Sequence, residues 1–300
     1  MTARATGIAL AFVTAVVSGV SIYVNGHAVR HFGDATVYTT AKNAIAGALL
    51  VLLAVTVPAA RPSAAARPGG RRWLALAAVA VIGGSVPFVL FFEGLARAEA
   101  TQAAFIQKTL VVWVALLAVP ILRERFRLPH ALAVVLLIVG QAWLAGHLGT
   151  VAFGSGEAMI VAATLFWSVE VVLVKRLLAS FPARALAAAR MGLGTILLVA
   201  WVAVSGKGGQ LTGLSGDQWR WVLLTGLLLT AYVATWYAAL ARAQAVDVTA
   251  VLVFGAVVTA LLSGAADGAT VDVVGTILVT AGTALVGWAA VRRPAVERAR

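Results

Sequence analysis

Apolar residues in this chain come in long runs, apolar on every side, and not in the one-sided stripes of surface helices. Ten runs stand out, at residues 7–25, 35–57, 73–95, 101–119, 129–146, 154–178, 184–204, 219–240, 246–264 and 270–291. At 1.5 Å rise per residue, a run of about 18 residues or more crosses a hydrocarbon layer of about 30 Å. A helix apolar all round needs burial or a lipid solvent. The pattern therefore predicts an all-α integral membrane protein of ten transmembrane helices. Connections as short as "ARAEA" at 96–100 and "ARAQA" at 241–245 make the helices beside them antiparallel neighbours.

Composition agrees with this reading. The 300 residues are 62% hydrophobic and 11% charged, with a mean hydropathy of +0.98, where a soluble domain carries about 25% charged residues. The formal charge of +12 sits in short basic clusters between apolar runs. Without aromatic interleaving or a nucleic-acid motif, these clusters point to anionic membrane lipid and not to nucleic acid. There is no cysteine, hence no disulfide framework or thiolate metal site. The first run lacks a small-residue cleavage signal and is expected to stay as a span.

Orientation follows from the basic residues. Of 23 Lys and Arg, sixteen fall on the side of the N-terminus, including Arg61, Arg67, Arg123, Lys175 and Arg292. Four, Arg30, Arg97, Lys207 and Arg220, fall on the other side, and three, Lys42, Lys108 and Arg190, lie inside spans. This bias predicts a cell (inner) membrane protein with both termini cytoplasmic.

The chain also repeats itself. "LARAEATQAAFIQKTLVVWVALLA" from Leu95 lines up with "LARAQAVDVTAVLVFGAVVTALLS" from Leu240, and "LLIVGQAWLAG" resembles "LVTAGTALVGW". The expected units are residues 1–148 and 149–300, each with five spans, the second carrying the basic C-terminal tail. Five is odd, so the second unit enters the membrane from the opposite side. Inverted repeats of this kind underlie alternating access in many secondary transporters.

On these residues the chain resembles the drug/metabolite transporter superfamily, in particular the EamA-like ten-helix transporters, over roughly residues 7–291. The most specific element is "WVALLAVPILRERF", Trp113 to Phe126, which is similar to the family's apolar fourth helix closed by a glutamate, here Glu124. The family usually has glycine before that glutamate, where this chain has Arg123. In the second repeat the corresponding segment, "LLSGAADGATVD", offers only Asp267. Arg190 in "AAARMGLG" matches the family's basic residue early in the second span of a repeat, with Asn43 in "TAKNAIAG" aligned to it and Lys42 beside it. The resemblance implies a secondary transporter that exports a small metabolite such as an amino acid or a related amine or acid. It implies no cofactor, with protons or a counter-substrate as coupling partners.

Charges inside spans are the candidates for the pathway, because an ionised group in hydrocarbon must be paired or hydrated. Glu170 lies about 12 Å and Arg190 about 9 Å from the same end of their helices, at 1.5 Å per residue, so a Glu170–Arg190 pair or a shared polar cavity is expected. Lys108 and Lys42 each lie about seven residues into a span, with Glu93, Tyr23 and Asn25 near the same side. A structural Lys108–Glu93 pair is the plain alternative. Trp167 and Trp236 are candidates for an aromatic wall. Gln107 ranks lower, since adjacent residues do not share a helix face. Glu124 is expected to brace the start of the fifth span, and Pro87 and Pro120 to kink or end the third and fourth.

Other classes find less support. No H-E-x-x-H or dense Asp/His cluster suggests a membrane enzyme, and His27, His31, His130 and His147 lie at span ends. No repeated filter element suggests a channel. A multidrug or organic-cation exporter, and a non-transporting scaffold or lipid scramblase, are the alternatives.

Overall fold

The computed structural model describes residues 2–56, 70–98, 100–144 and 153–292, with Arg71, Arg72, Ala100 and Thr101 defined by backbone alone. The expected repeat boundary at 148/149, His147, the basic loop residues Arg61 and Arg67 and the tail from residue 293 lie outside the described residues.

Among the described residues ten long helices follow one another: α1 Ala3–Ala28, α2 Ala35–Thr56, α3 in three pieces (Gly70–Val79, Ala80–Ser85 and Val86–Leu95), and α4 in two (Ala100–Lys108 and Leu110–Leu122). Then come α5 Leu128–Leu144, α6 Ser155–Leu177, α7 Ala183–Val204, α8 Gly216–Leu240, α9 in two pieces (Ala245–Leu252 and Gly255–Asp267) and α10 Val273–Val291. Among the described residues nine are long and apolar enough to cross a membrane, and α5 is a shorter apolar helix of 17 residues. No strand occurs among the described residues. The helices lie within a few residues of the apolar runs, and two short helical turns, Val29–His31 and Gly208–Thr212, are elements the pattern did not indicate.

Local chemistry sets the starts. Thr2 Oγ1 accepts from Ala5 N–H ahead of α1, and Asp34 Oδ1 accepts from Val37 N–H ahead of α2. Ser215 and Gln218 form a capping box at α8, and Asp272 caps α10 through Gly275 N–H. Each satisfies backbone donors that a helix leaves open at its first turn. Away from the ends, Leu52, Leu116, Ile196 and Trp201 are more than half exposed on the outer surface. That is an acceptable arrangement when the surrounding solvent is hydrocarbon.

The packing is two-fold. α2 lies on α7 and α5 on α10, so helices that correspond in the two repeats meet each other. α1 packs on α8, and the last piece of α3 packs on α6, a pair of contacts that exchange when the repeats are swapped. The fold is thus two inverted five-helix repeats. α5 and α10 stand together at one side, while α1 to α4 and α6 to α8 surround a central cavity. Helix ends gather on two faces: the N-terminal face, with the ends of α4, α6 and α8, and the opposite face, with the ends of α1, α3, α7 and α9.

Two glycines explain one close approach. A Cβ on Gly19 of α1 would stand 2.3 Å from Gly255 O of α9, and one on Gly255 would stand 2.7 Å from Ala15 O. Small residues let the two backbones touch, as in other lipid-embedded helix pairs.

Candidate substrate cavity

Seven helices, α1 to α4 and α6 to α8, line a cavity with about 690 Å³ of atom-free space including its opening. Its walls carry Asn25, Lys42, Gln107, Glu170 and Arg190 among the aromatic rings of Phe88, Phe91, Phe92, Trp167, Tyr232 and Trp236. The expected Glu170–Arg190 contact is present, with Nε and Oε1 3.4 Å apart. Both side chains are at most 3% exposed. Tyr237 OH donates to the same Glu170 oxygen. Among the described residues, Arg190 Nη1 has no hydrogen-bond partner.

The first repeat builds a related but different group. Lys42 is the eighth residue of α2 and Arg190 the eighth of α7, so Lys42, not Asn43, is the match of Arg190. The Leu95/Leu240 register places Phe92 opposite Tyr237, and Asn25 stands on α1 as Glu170 stands on α6, one turn beyond the residue that matches the glutamate. Lys42 Nζ accordingly donates to Asn25 Oδ1 at 2.9 Å and lies 3.4 Å from the Phe92 ring centroid, a cation–π contact. Tyr38 OH donates to Asn25 Oδ1 at 2.5 Å, and the Asn25 amide donates to Ser21 O and Oγ. Phe88 separates the two groups, its ring 5.9 Å from Lys42 Nζ and 5.5 Å from Arg190 Cζ.

Backbone irregularity concentrates here. Pro87 does not end the third helix, which changes to a π-helical turn over Ala80–Ser85 just before it. Pro87 has no N–H for the carbonyl of Gly83 one turn earlier, and the Trp167 indole N–H donates there at 3.2 Å. A Cβ on Gly83 would lie 2.5 Å from Glu170 Cγ and 3.1 Å from Arg190 Nε, so only glycine leaves room for the ion pair. α4 breaks at Thr109 and α9 at residues 253–254, matching positions in the repeat register. Pro120 lies beyond the break, two residues before α4 ends.

Lys108 sits at the break in α4. Its ammonium donates to Ser18 Oγ at 2.9 Å and to Gln107 Oε1 at 3.0 Å, behind the cavity wall. The alternative Lys108–Glu93 pair does not form. Glu93 accepts from Thr36 and from Arg97 one turn on, away from the cavity. Its neighbour Phe92 takes the inward face, and a residue one position on is turned by about 100°. Tyr23, on the side of α1 away from Ile22 and Asn25, donates to Asp267 and does not line the cavity. Gln107 lines the wall despite its adjacency to Lys108, because the lysine's long stem brings its ammonium round to the glutamine carbonyl. Trp113 is 37% exposed on the outer surface. Trp167 and Trp236 are in the wall.

Glu124 differs from expectation. Its carboxylate accepts from Ala245 N–H at 2.7 Å and Val246 N–H at 3.0 Å, so it caps the ninth helix and not the fifth. The chain turns back at Arg123, whose φ of 53° is the left-handed conformation that glycine adopts at Gly268, its match in the second repeat. Burial pushes the Glu124 carboxyl above its usual value, against the pull of the two backbone donors and the nearby Lys175 ammonium. Lys175 donates to Leu240 O and Ala243 O at the end of α8. A cation at one helix's C-terminus and an anion at the next helix's N-terminus suit both dipoles. His130 and Asp247, 3.2 Å apart, add a second contact between α5 and α9. Asp247 was not singled out from sequence, where its apolar surroundings read as ordinary helix.

The cavity residues missed from sequence, Phe88, Phe91 and Phe92, are in hindsight the "FVLFFEG" counterpart of "VATWYAA" before the repeated "LARA". The EamA-like transporter family model matches residues 5–146 and 154–288. A protein of Archaeoglobus fulgidus named as an uncharacterized transporter is 28% identical over 189 residues, 61% of this chain and 64% of that relative. Another so named, from Methanothermobacter thermautotrophicus, is 32% identical over 108 residues, 34% of this chain and 32% of the relative. A crystal structure shares the fold with a TM-score of 0.69 at 18% identity, over 91% of this chain and 97% of the other.

Proposed function

Because the chain belongs to the EamA-like transporter family, we propose that it is a secondary transporter that exports a small charged metabolite, such as an amino acid or a related amine or acid, by alternating access. The observation that carries this reading is the cavity between the repeats, which holds Lys42, Glu170 and Arg190 within an aromatic wall. A soluble small molecule with charge and an apolar body fits such a lining. Lys42, Asn25, Glu170, Arg190, Trp167 and Trp236 form its binding surface, and Lys108 stands behind Ser18 and Gln107.

The matched breaks in α4 and α9 supply the motion in this reading. Freed from a continuous helical ladder, the pieces on either side can swing while α5 and α10 stay packed, so that the cavity faces each side in turn. The excess of Lys and Arg on the N-terminal face supports cytoplasmic termini in the cell membrane. Glu170, on the wall, is the candidate for proton coupling, with exchange against a counter-substrate as the other mode.

The test is counterflow in liposomes with a panel of amino acids, amines and organic acids at two pH values. Saturable exchange that falls in E170Q/R190Q is expected. Folded protein that exchanges none of the panel would overturn the reading.

A further inference from the structure

In the second repeat the buried cation has its anion: Arg190 meets Glu170, and Tyr237 donates to the same carboxylate. In the first repeat the matching cation, Lys42, is 2% exposed. Its polar partner on the corresponding helix, α1, is Asn25, a neutral amide where the second repeat uses a glutamate. Lys108, 1% exposed, also has neutral partners. Among the described residues no carboxylate lies within ion-pair distance of either ammonium. The cavity and its wall thus hold three cationic side chains and one carboxylate.

A buried charge without a counter-charge is costly, and the cost falls when an ion of opposite sign arrives. Lysine has three N–H donors. One of those of Lys42 goes to Asn25 and the Phe92 ring covers another side of the ammonium, which leaves room for a ligand acceptor. Glu170 is already engaged by Arg190 and Tyr237, so no acidic group waits for a substrate ammonium. Around Lys42 the wall is Phe88 and Phe92, Trp167 packs on Phe88 and Phe91, and Trp236 completes the aromatic lining, a lining for an apolar ring and not for a bare inorganic ion.

We propose that the substrate is an organic anion, an aromatic carboxylate whose carboxylate pairs with Lys42 as Glu170 pairs with Arg190. The proposal rests on the transporter reading and narrows it. A zwitterion would bring an ammonium with no partner, and an organic cation would meet like charge.

Three probes of one shape separate these cases: 3-phenylpropionate, an anion; phenylalanine, a zwitterion; and phenethylamine, a cation. Their binding to the purified full chain in detergent is measured by calorimetry at neutral pH, with potassium chloride as the inorganic control. Phenylpropionate is expected to bind at least about tenfold more tightly than either analogue, an advantage of about 1.4 kcal/mol. K42M is expected to abolish that preference and K42R, which keeps the charge, to retain it. Tighter binding of the zwitterion or the amine, no measurable binding of phenylpropionate, equal competition by chloride, or an unchanged preference in folded K42M would each overturn the proposal. The counterflow panel decides separately whether the protein transports, so either idea can fail while the other stands.

Discussion

In the second repeat Arg190 lies against Glu170 and Tyr237, while in the first Lys42, at the matching position, meets Asn25 and Phe92. The scaffold is shared and both partners differ. Glutamate against asparagine decides whether the cation is neutralised within the protein. Tyrosine against phenylalanine decides whether a hydroxyl is present to hold the glutamate. On the anion reading, one cation has its counter-charge within the protein, and the other takes it from the ligand. The two repeats thus carry matched cations, one beside a carboxylate of the protein and the other beside a neutral amide.

The largest expected effect follows from the complete pair. Glu170→Gln leaves Arg190 buried without its counter-charge and should cost about 3–5 kcal/mol. The double variant E170Q/R190Q should recover part of that loss in a thermal-unfolding cycle. Lys42→Gln should cost far less, because no carboxylate is orphaned. Equal losses at Glu170 and Lys42 would break the comparison.

Glu124 comes next. Glu124→Ala leaves the N–H groups of Ala245 and Val246 buried without acceptors, at about 3 kcal/mol for the two. Glu124→Gln keeps one acceptor and should lose less. In the second repeat the position matching Glu124 is Ala269, just beyond α9, a side chain with no acceptor. Chemical denaturation of the two variants checks the order.

How much of this was legible in the sequence depends on the distance over which each signal acts. The ten helices and the inversion could be read because hydrophobic length and the Leu95/Leu240 repeat are local patterns. The Glu170–Arg190 contact was legible because two charges in lipid at similar depth have few other ways to be satisfied. Glu124 was assigned to the wrong helix because its partners are backbone N–H groups more than a hundred residues away, which no side-chain pattern marks. Glu93 and Lys108 looked like partners by depth, but helix phase turned them apart. Phe88 and Phe92 were hidden because an aromatic residue in a membrane span is ordinary until a cation is found beside it.

Smaller effects sharpen the contrast between repeats. Arg123, exposed and left-handed, stands where the second repeat has Gly268. Arg123→Gly should stabilise by about 1 kcal/mol, read as a raised unfolding temperature, since a side chain in that conformation carries a penalty of roughly that size. The reverse change, Gly268→Arg, should lose a similar amount.

The smallest effect lies in the loops of the opposite face, where Asp34 meets Lys207. Partial burial pushes the Asp34 carboxyl up, but the Lys207 ammonium and the backbone donors of Val37 and Thr36 outweigh it and hold it below its usual 3.8. Because the folded value is depressed, the stabilisation is present above that usual value and is lost as pH falls through the folded one. Asp34→Asn should therefore cost less than about 1 kcal/mol at neutral pH. Its difference from the parent should vanish in acid unfolding below the depressed value.

The most direct test completes the first repeat in the image of the second. Asn25→Asp places a carboxylate beside Lys42, within reach of Tyr38 OH. Counterflow of 3-phenylpropionate should then fall by about tenfold, the equivalent of about 1.4 kcal/mol of lost anion affinity, while the purified variant remains folded. Undiminished anion exchange in folded Asn25→Asp would show that Lys42 does not await the substrate's charge, and would contradict the account.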